Sequence, residues 1–369
     1  MSRMTVRTKL DALTGLRFIA ASLIVAEHAR MLQIPVPNYA WDFGVSFFFV
    51  LSGFILTYVY PALESRKSIF RFYVARIARI WPAHLVALAL VVVLFKFPLD
   101  RTLLAANILL LQGWVPSLPW YFSYNAVSWT ISAEWFFYIV FPVLIFRWKL
   151  SWWWKWALSA LIVFALIELG TLLHLPNFSQ EDEATLHGLL YANPLARLFE
   201  FTTGMVTCLA YRRLQPLFSR LPDMLFTLLE ILVAGMAWYS IASGSVVIFL
   251  RPYFQGAGLQ WLGHAGDVFV FPFVIFIFAF GRGYLSRALS ISPMVLLGEI
   301  SYSVYLLHMI VFRLYGEWHP NHVGPDYLGL VICITATLAF AYIMWSMIET
   351  SCRNAARRWS RSLLLEPNH

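Results

Sequence analysis

The chain has 369 residues, of which 60% are hydrophobic and 12% charged, and its net charge is +8. Soluble domains are about one-quarter charged, so this composition excludes an ordinary soluble protein and points to one embedded in a membrane. The length leaves no room for a sizeable soluble domain once spans are counted, and three scattered cysteines exclude a disulfide framework or a zinc site.

Hydropathy predicts an all-α polytopic bundle of ten spanning helices, each near the length of about 20 residues that a bilayer requires. Their limits are 12–33, 43–62, 79–97, 126–147, 153–175, 194–212, 224–243, 266–281, 294–316 and 327–349, with 266–281 the shortest. The first span carries Arg17, Glu27 and His28. Arg17 and His28 are eleven positions apart, which on a helix is about 20° beyond three full turns and a rise of roughly 16 Å. They share one face, near opposite sides of the bilayer. Ionisable groups at such depth are costly and are retained mainly where they function. The second span holds the string Gly44 to Phe54, whose Ser46, Ser52 and Gly53 read as close-packing positions.

A basic aromatic stretch from Phe70 to Pro82 leads into the third span. It contains Arg71, Arg76 and Arg79, the last two three apart and so neighbours on one helical face. Paired guanidinium groups suit phosphate recognition, although spacing alone favours a stretch that only sets orientation. Residues 103–118 are apolar, but Gly113, Pro116 and Pro119 suggest an interfacial or re-entrant segment rather than a span. The fourth span carries Ser128, Thr130, Ser132 and Glu134. Residue counting sets Glu134 broadly level with His28, where a carboxylate would fix the imidazole tautomer. A carboxylate buried only for packing is an equally good reading. Gly298 to His308 includes Glu299 and His308, each expensive if it faced lipid.

Most of the 27 basic residues fall on one side of this layout. Arg3, Arg7 and Lys9 precede the first span, and Arg66 to Arg79, Arg147 to Lys155, Arg212 to Arg220, Arg282 and Arg287 occupy alternate connections. Arg353, Arg357, Arg358 and Arg361 lie in the tail, while the opposite connections hold the acidic run Glu181-Asp182-Glu183. The positive-inside rule puts both termini in the cytoplasm. The net positive charge is this topogenic bias, and nucleic-acid binding is not inferred from it. A cleaved signal peptide is not expected, because Arg17, Glu27 and His28 interrupt the first apolar segment. Nothing divides the chain, so residues 1–369 are read as one membrane domain, with a motif-bearing core at 10–350 and a basic cytoplasmic tail at 350–369.

Other chemistries find little support. There is no Gly-x-Ser-x-Gly nucleophile elbow and no phosphate-binding P-loop, which argues against a serine hydrolase and an ATP-driven pump. His84, His174, His187, His264 and His319 lack metal-ligand spacing, so no metal is expected. The His322-x-x-x-Asp326 string resembles a motif of soluble acyltransferases but sits between prolines in an outer loop, without supporting context.

Taken in order, five strings resemble the acyltransferase-3 family of bacterial integral-membrane acyltransferases. They are Leu10 to Ala21 with its Arg17-x10-His28 spacing, Gly44 to Phe54, Arg76-x-x-Arg79 before Ile80-Trp81-Pro82, Trp129 to Tyr138, and Ser301 to His308. One departure is local: Ala12-Leu13-Thr14-Gly15-Leu16-Arg17 stands where Asp-Gly-Leu-Arg-Gly is frequent. The resemblance implies transfer of an acyl group, preferentially acetyl from acetyl-CoA, to a hydroxyl of a carbohydrate or glycolipid acceptor. It implies a catalytic His28 with Arg17 as its partner, Glu134 as the acidic position, and Arg76 with Arg79 as the acyl-CoA-binding pair, to which neighbouring Arg71 is added. It also implies a multi-pass protein of the bacterial inner membrane. Some relatives carry a further soluble hydrolase-like domain, which is not expected here. A secondary transporter of a lipid-linked sugar or other small molecule is the alternative, since ten spans with intramembrane charge and broken segments also occur there.

The orientation is checked with reporters fused at the C-terminus. Green fluorescent protein there is expected to fluoresce and alkaline phosphatase to be inactive, and an active phosphatase would reverse the topology.

Overall fold

Backbone removed from water must satisfy its own hydrogen bonds, and in this chain the apolar segments do so as helices. The computed structural model describes residues 10–362; Arg3, Arg7, Lys9 and the Arg361 side chain lie outside what is described. Among the described residues there is no strand. The main helices are α1 Asp11–His28, α2 Phe43–Val59, α3 Arg66–Phe95, α4 Trp129–Ile145, α5 Trp148–Leu172 and α6 Leu198–Phe218. They are followed by α7 Asp223–Ser243, α8 Ala257–Ala265, α9 Phe271–Phe278, α10 Ser292–Trp318, α11 Tyr327–Met344 and α12 Thr350–Ser362.

Among the described residues, eight helical segments are long and apolar enough to cross a membrane, and α2 is a shorter apolar helix. The remaining expected span is α6, 21 residues long and carrying Glu200, Arg212 and Arg213. The chain is thus an all-α polytopic bundle. Its outer surface is apolar, with Val93 and Val143 each 71% exposed, whereas Arg197, Glu200 and His308 are fully buried. That inversion of the soluble pattern is what a hydrocarbon solvent selects.

Three boundaries differ most from the hydropathic reading. Helix α3 starts at Arg66 rather than 79, because Ser65 and Ser68 form a capping box that fixes the start and nothing between them and Pro82 breaks the helix. The basic motif is therefore the first half of a 30-residue helix. The expected span 266–281 begins earlier: α8, a 3-10 turn at Gly266–Phe269 and α9 form one apolar unit, Ala257–Phe278. Helix α11 continues through a π turn, Trp345–Glu349, directly into α12. Between α3 and α4, residues 103–118 fold as part of the short helix Arg101–Ile108, capped by Asp100, and a 3-10 turn at Gln112–Trp114.

Glycines set the closest helix approaches. A Cβ on Gly53 of α2 would strike the Phe201 carbonyl of α6, and one on Gly204 of α6 would strike the Val50 carbonyl of α2. The same relation joins α10 to α1, where a Cβ on Gly298 would strike the Thr14 carbonyl. Small residues permit such backbone contact in membrane bundles. The α2–α6 contact is reinforced by a buried ion pair unforeseen from sequence: Arg197 Nε lies 2.8 Å from Glu200 Oε2, and the same guanidinium donates to Ser46 Oγ at 3.0 Å.

Overpacking a tight site costs about 1–3 kcal/mol. Gly204→Ala is expected to destabilise the purified protein by that order, read as a lower thermal midpoint. Gly235→Ala, whose added Cβ meets nothing within 4 Å, is expected to leave it unchanged or slightly raised. Equal behaviour of the two variants would refute the close-contact account.

Candidate functional site

At the end of the bundle where α1 and α3 begin and α12 lies, a cavity of about 750 Å³ opens between α1, α2, α3, α4, α10 and α12. Each wall follows from helical spacing. On α3, Arg71, Arg76 and Arg79 fall within an arc of about 140° and all line the cavity. On α4, Thr130, Glu134 and Tyr138 recur every four residues and form one stripe along it. Arg17 enters from α1, and Tyr302 and Tyr305 enter from α10.

Five of the six site residues expected from sequence therefore line one chamber. The Glu134 carboxylate accepts a hydrogen bond from Tyr138 Oη. The Arg76 guanidinium lies 5.6 Å from the Tyr138 ring centre and 5.7 Å from that of Tyr60, in cation–π range. Arg17 and Arg79 repel each other, and Glu349 and Glu134 balance them. Glu349 comes from the π turn, is 1% exposed, and accepts from Ser303 Oγ at 2.6 Å. Among the described residues, Arg17, Arg76 and Arg79 donate no hydrogen bond to another protein group.

His28 lies three helical turns beyond Arg17 on α1, past the inner end of the chamber. Thr130 Oγ1 and Tyr305 Oη, 3.0 Å apart, line that end, and both bond the Val127 carbonyl. His308, one turn from Tyr305, has Nδ1 2.7 Å from the Tyr305 carbonyl. Its Nε2 is 3.2 Å from Nδ1 of His28, and the two rings are 5.0 Å apart. A carbonyl oxygen only accepts, so His308 carries its proton on Nδ1 and offers an Nε2 lone pair. His28 Nδ1 is 2.8 Å from the Ile24 carbonyl and likewise carries a proton. The lone pair of His28 Nε2 is then free, as a base or nucleophile needs.

Glu134 is not the partner of His28. It sits with Arg17 and Arg79, because counting residues gives depth from an assumed boundary but not rotation about the helix axis. The partner is His308, which the sequence marked only as too costly to face lipid. Sequence reasoning also missed Arg353 and Arg357, which line the cavity from α12; their signal was a four-residue spacing continuing from Glu349. Asp326 caps α11 through the Gly329 amide at 2.7 Å and accepts from Tyr315 Oη at 2.8 Å, closer than His322 Nε2 at 4.0 Å, so its main use is structural. His264 Nδ1 pairs with Asp42 Oδ2 at 2.9 Å, and His84 Nε2 bonds the Asn107 carbonyl at 2.8 Å. No group of three or more potential metal ligands occurs among the described residues.

A family model described as an acyltransferase domain matches residues 10–346. The chain is 26% identical to acyltransferase MdmB of Streptomyces mycarofaciens, over 93% of this chain and 92% of that one. It is 25% identical to O-acetyltransferase OatA of Staphylococcus aureus, over 93% of this chain but 57% of OatA. Nodulation protein 10 of Rhizobium leguminosarum bv. viciae is 26% identical over 90% of each chain. No solved structure gives a significant match.

Proposed function

This chain belongs to the acyltransferase family matched over residues 10–346, and on that premise we propose that it moves an acyl group, preferentially acetyl, from cytoplasmic acyl-CoA to a hydroxyl of an envelope carbohydrate or glycolipid. At the coarser level it is an integral, multi-pass membrane O-acyltransferase. The observation that carries the finer reading is the arginine-lined cavity, whose lining residue Tyr305 stands 5.8 Å, ring to ring, from His308, the neighbour of His28. CoA is a polyanion attached to a long, narrow arm with the reactive thioester at its tip. A cationic mouth with a histidine beyond its inner end suits that shape.

In this mechanism Arg76 and Arg79 bind the diphosphate, and the pantetheine arm runs along α1 past Arg17. Arg17, balanced by Glu134 and Glu349, keeps positive potential along the path. The positive-inside layout supports entry from the cytoplasm and residence in the inner membrane of a bacterium. His28 Nε2 takes the proton of the acceptor hydroxyl as its oxygen attacks the thioester carbonyl. The tetrahedral intermediate collapses with cleavage of the C–S bond, and His28 returns the proton to the leaving thiolate. Alternatively, Nε2 attacks the thioester itself and carries the acyl group to the acceptor. Either way His308 is a positioning residue that holds the His28 ring.

In a deletion strain complemented with His28→Ala, mass spectrometry of envelope glycans and glycolipids is expected to show acyl modification reduced by 10²–10⁴-fold, the usual worth of a general base. Full modification with this variant would sink the assignment. Isothermal titration of purified Arg76→Ala/Arg79→Ala with CoA is expected to show affinity lowered about 10- to 100-fold, from loss of charged hydrogen bonds. Unchanged affinity would remove these residues from the donor site. In proteoliposomes supplied with labelled acetyl-CoA and envelope extract, an enzyme consumes the label in an acceptor-dependent way. A pure transporter does not.

A further inference from the structure

We propose that α12 is part of the donor site, and that Arg353 and Arg357 hold the 3′-phosphate of the CoA nucleotide. This rests on the reading of acyl-CoA as donor and deepens it. From sequence these arginines looked like topogenic charge in a cytoplasmic tail. The fold puts them elsewhere. The π turn at Trp345–Glu349 carries the chain from a span into α12 without a break, and the residues of α12 that line the cavity are Arg353, Ala356, Arg357 and Ser360. These are positions i, i+3, i+4 and i+7, a single helical face. The helix is held against the start of α3 by the Trp359 ring, 5.7 Å from that of Phe70.

Charge points the same way. Arg17, Arg71, Arg76, Arg79, Arg353 and Arg357 share the chamber lining with a single carboxylate, Glu134. Glu349 and Glu299 attract Arg353 from outside the lining, while both Arg79 and Arg357 repel it. So many like charges around one space cost free energy until an anion of several charges enters. CoA brings a diphosphate and a separate phosphate monoester.

The order of groups along the chamber assigns the phosphates. The thioester belongs at His28, beyond the inner end. Helix α3 runs inward, so Arg79 is about 12 Å deeper than Arg71, and the diphosphate, nearer the thioester, falls to Arg76 and Arg79. The 3′-phosphate lies on the ribose, at the far end from the thioester, and so comes to the mouth. There Arg353 is half-buried and Arg357 exposed. Two guanidinium groups one turn apart match a phosphate dianion.

The test compares CoA with 3′-dephospho-CoA by isothermal titration into the purified full-length protein. The wild type is expected to bind CoA 10- to 100-fold more tightly than 3′-dephospho-CoA. Arg353→Gln/Arg357→Gln is expected to lose that preference by weakening CoA binding alone, leaving 3′-dephospho-CoA affinity unchanged. Arg358→Gln, whose position lies off the lining face of the same helix, is expected to keep the wild-type preference. A double variant that weakens both ligands equally, or a wild type indifferent to the 3′-phosphate, overturns the assignment. A wild type that binds neither ligand overturns the acyl-CoA reading itself.

Discussion

Charge held inside a low-dielectric bundle must be balanced by the protein or by what the protein binds, and the arrangement around this cavity follows from that constraint. Among the described residues, Arg17, Arg79 and Arg353 converge from three helices, and Glu134, Glu349 and Glu299 stand against them. Elsewhere the bundle settles its charges internally. Arg197 and Glu200 close on each other, and Glu230 accepts from the Gly283, Leu285 and Ser286 amides and from Ser286 Oγ. Arg197 is ion-paired to Glu200 and bonded to Ser46, whereas the buried Nε of Arg76 has no hydrogen-bond partner among the described residues.

Backbone proximity gives this electrostatic arrangement its precision. Gly298 lets α10 lie directly on α1, and the two helices then run side by side to the histidine pair. His28 takes its tautomer from a carbonyl of its own helix, four residues back, and His308 takes its own from Tyr305, three residues back. Neither histidine depends on a carboxylate for orientation. A histidine oriented by backbone suits a depth where each added charge would be costly.

Much of this was legible in the sequence because helices report their own periodicity. The spacing of Arg17 and His28 on one face, the Arg76–Arg79 pair and the cost of a lipid-facing His308 are all properties of single helices, and such properties survive folding. What the sequence did not carry was rotation of one helix against another. Glu134 was matched to His28 by depth, yet α4 turns it towards Arg17. Arg353 and Arg357 were assigned to a tail because hydropathy sees where apolar residues stop, not where a helix continues. The broken segment at 103–118 was readable because glycine and proline act locally.

The π turn between α11 and α12 has a mechanical consequence. A π bulge amounts to one residue inserted into an α-helix, and each residue advances the helix by about 100°. It joins a lipid-embedded stretch and a wall of the chamber into one stiff lever, with no loop to absorb movement between them. The placement of Arg353 and Arg357 at the cavity is therefore set by the course of α11.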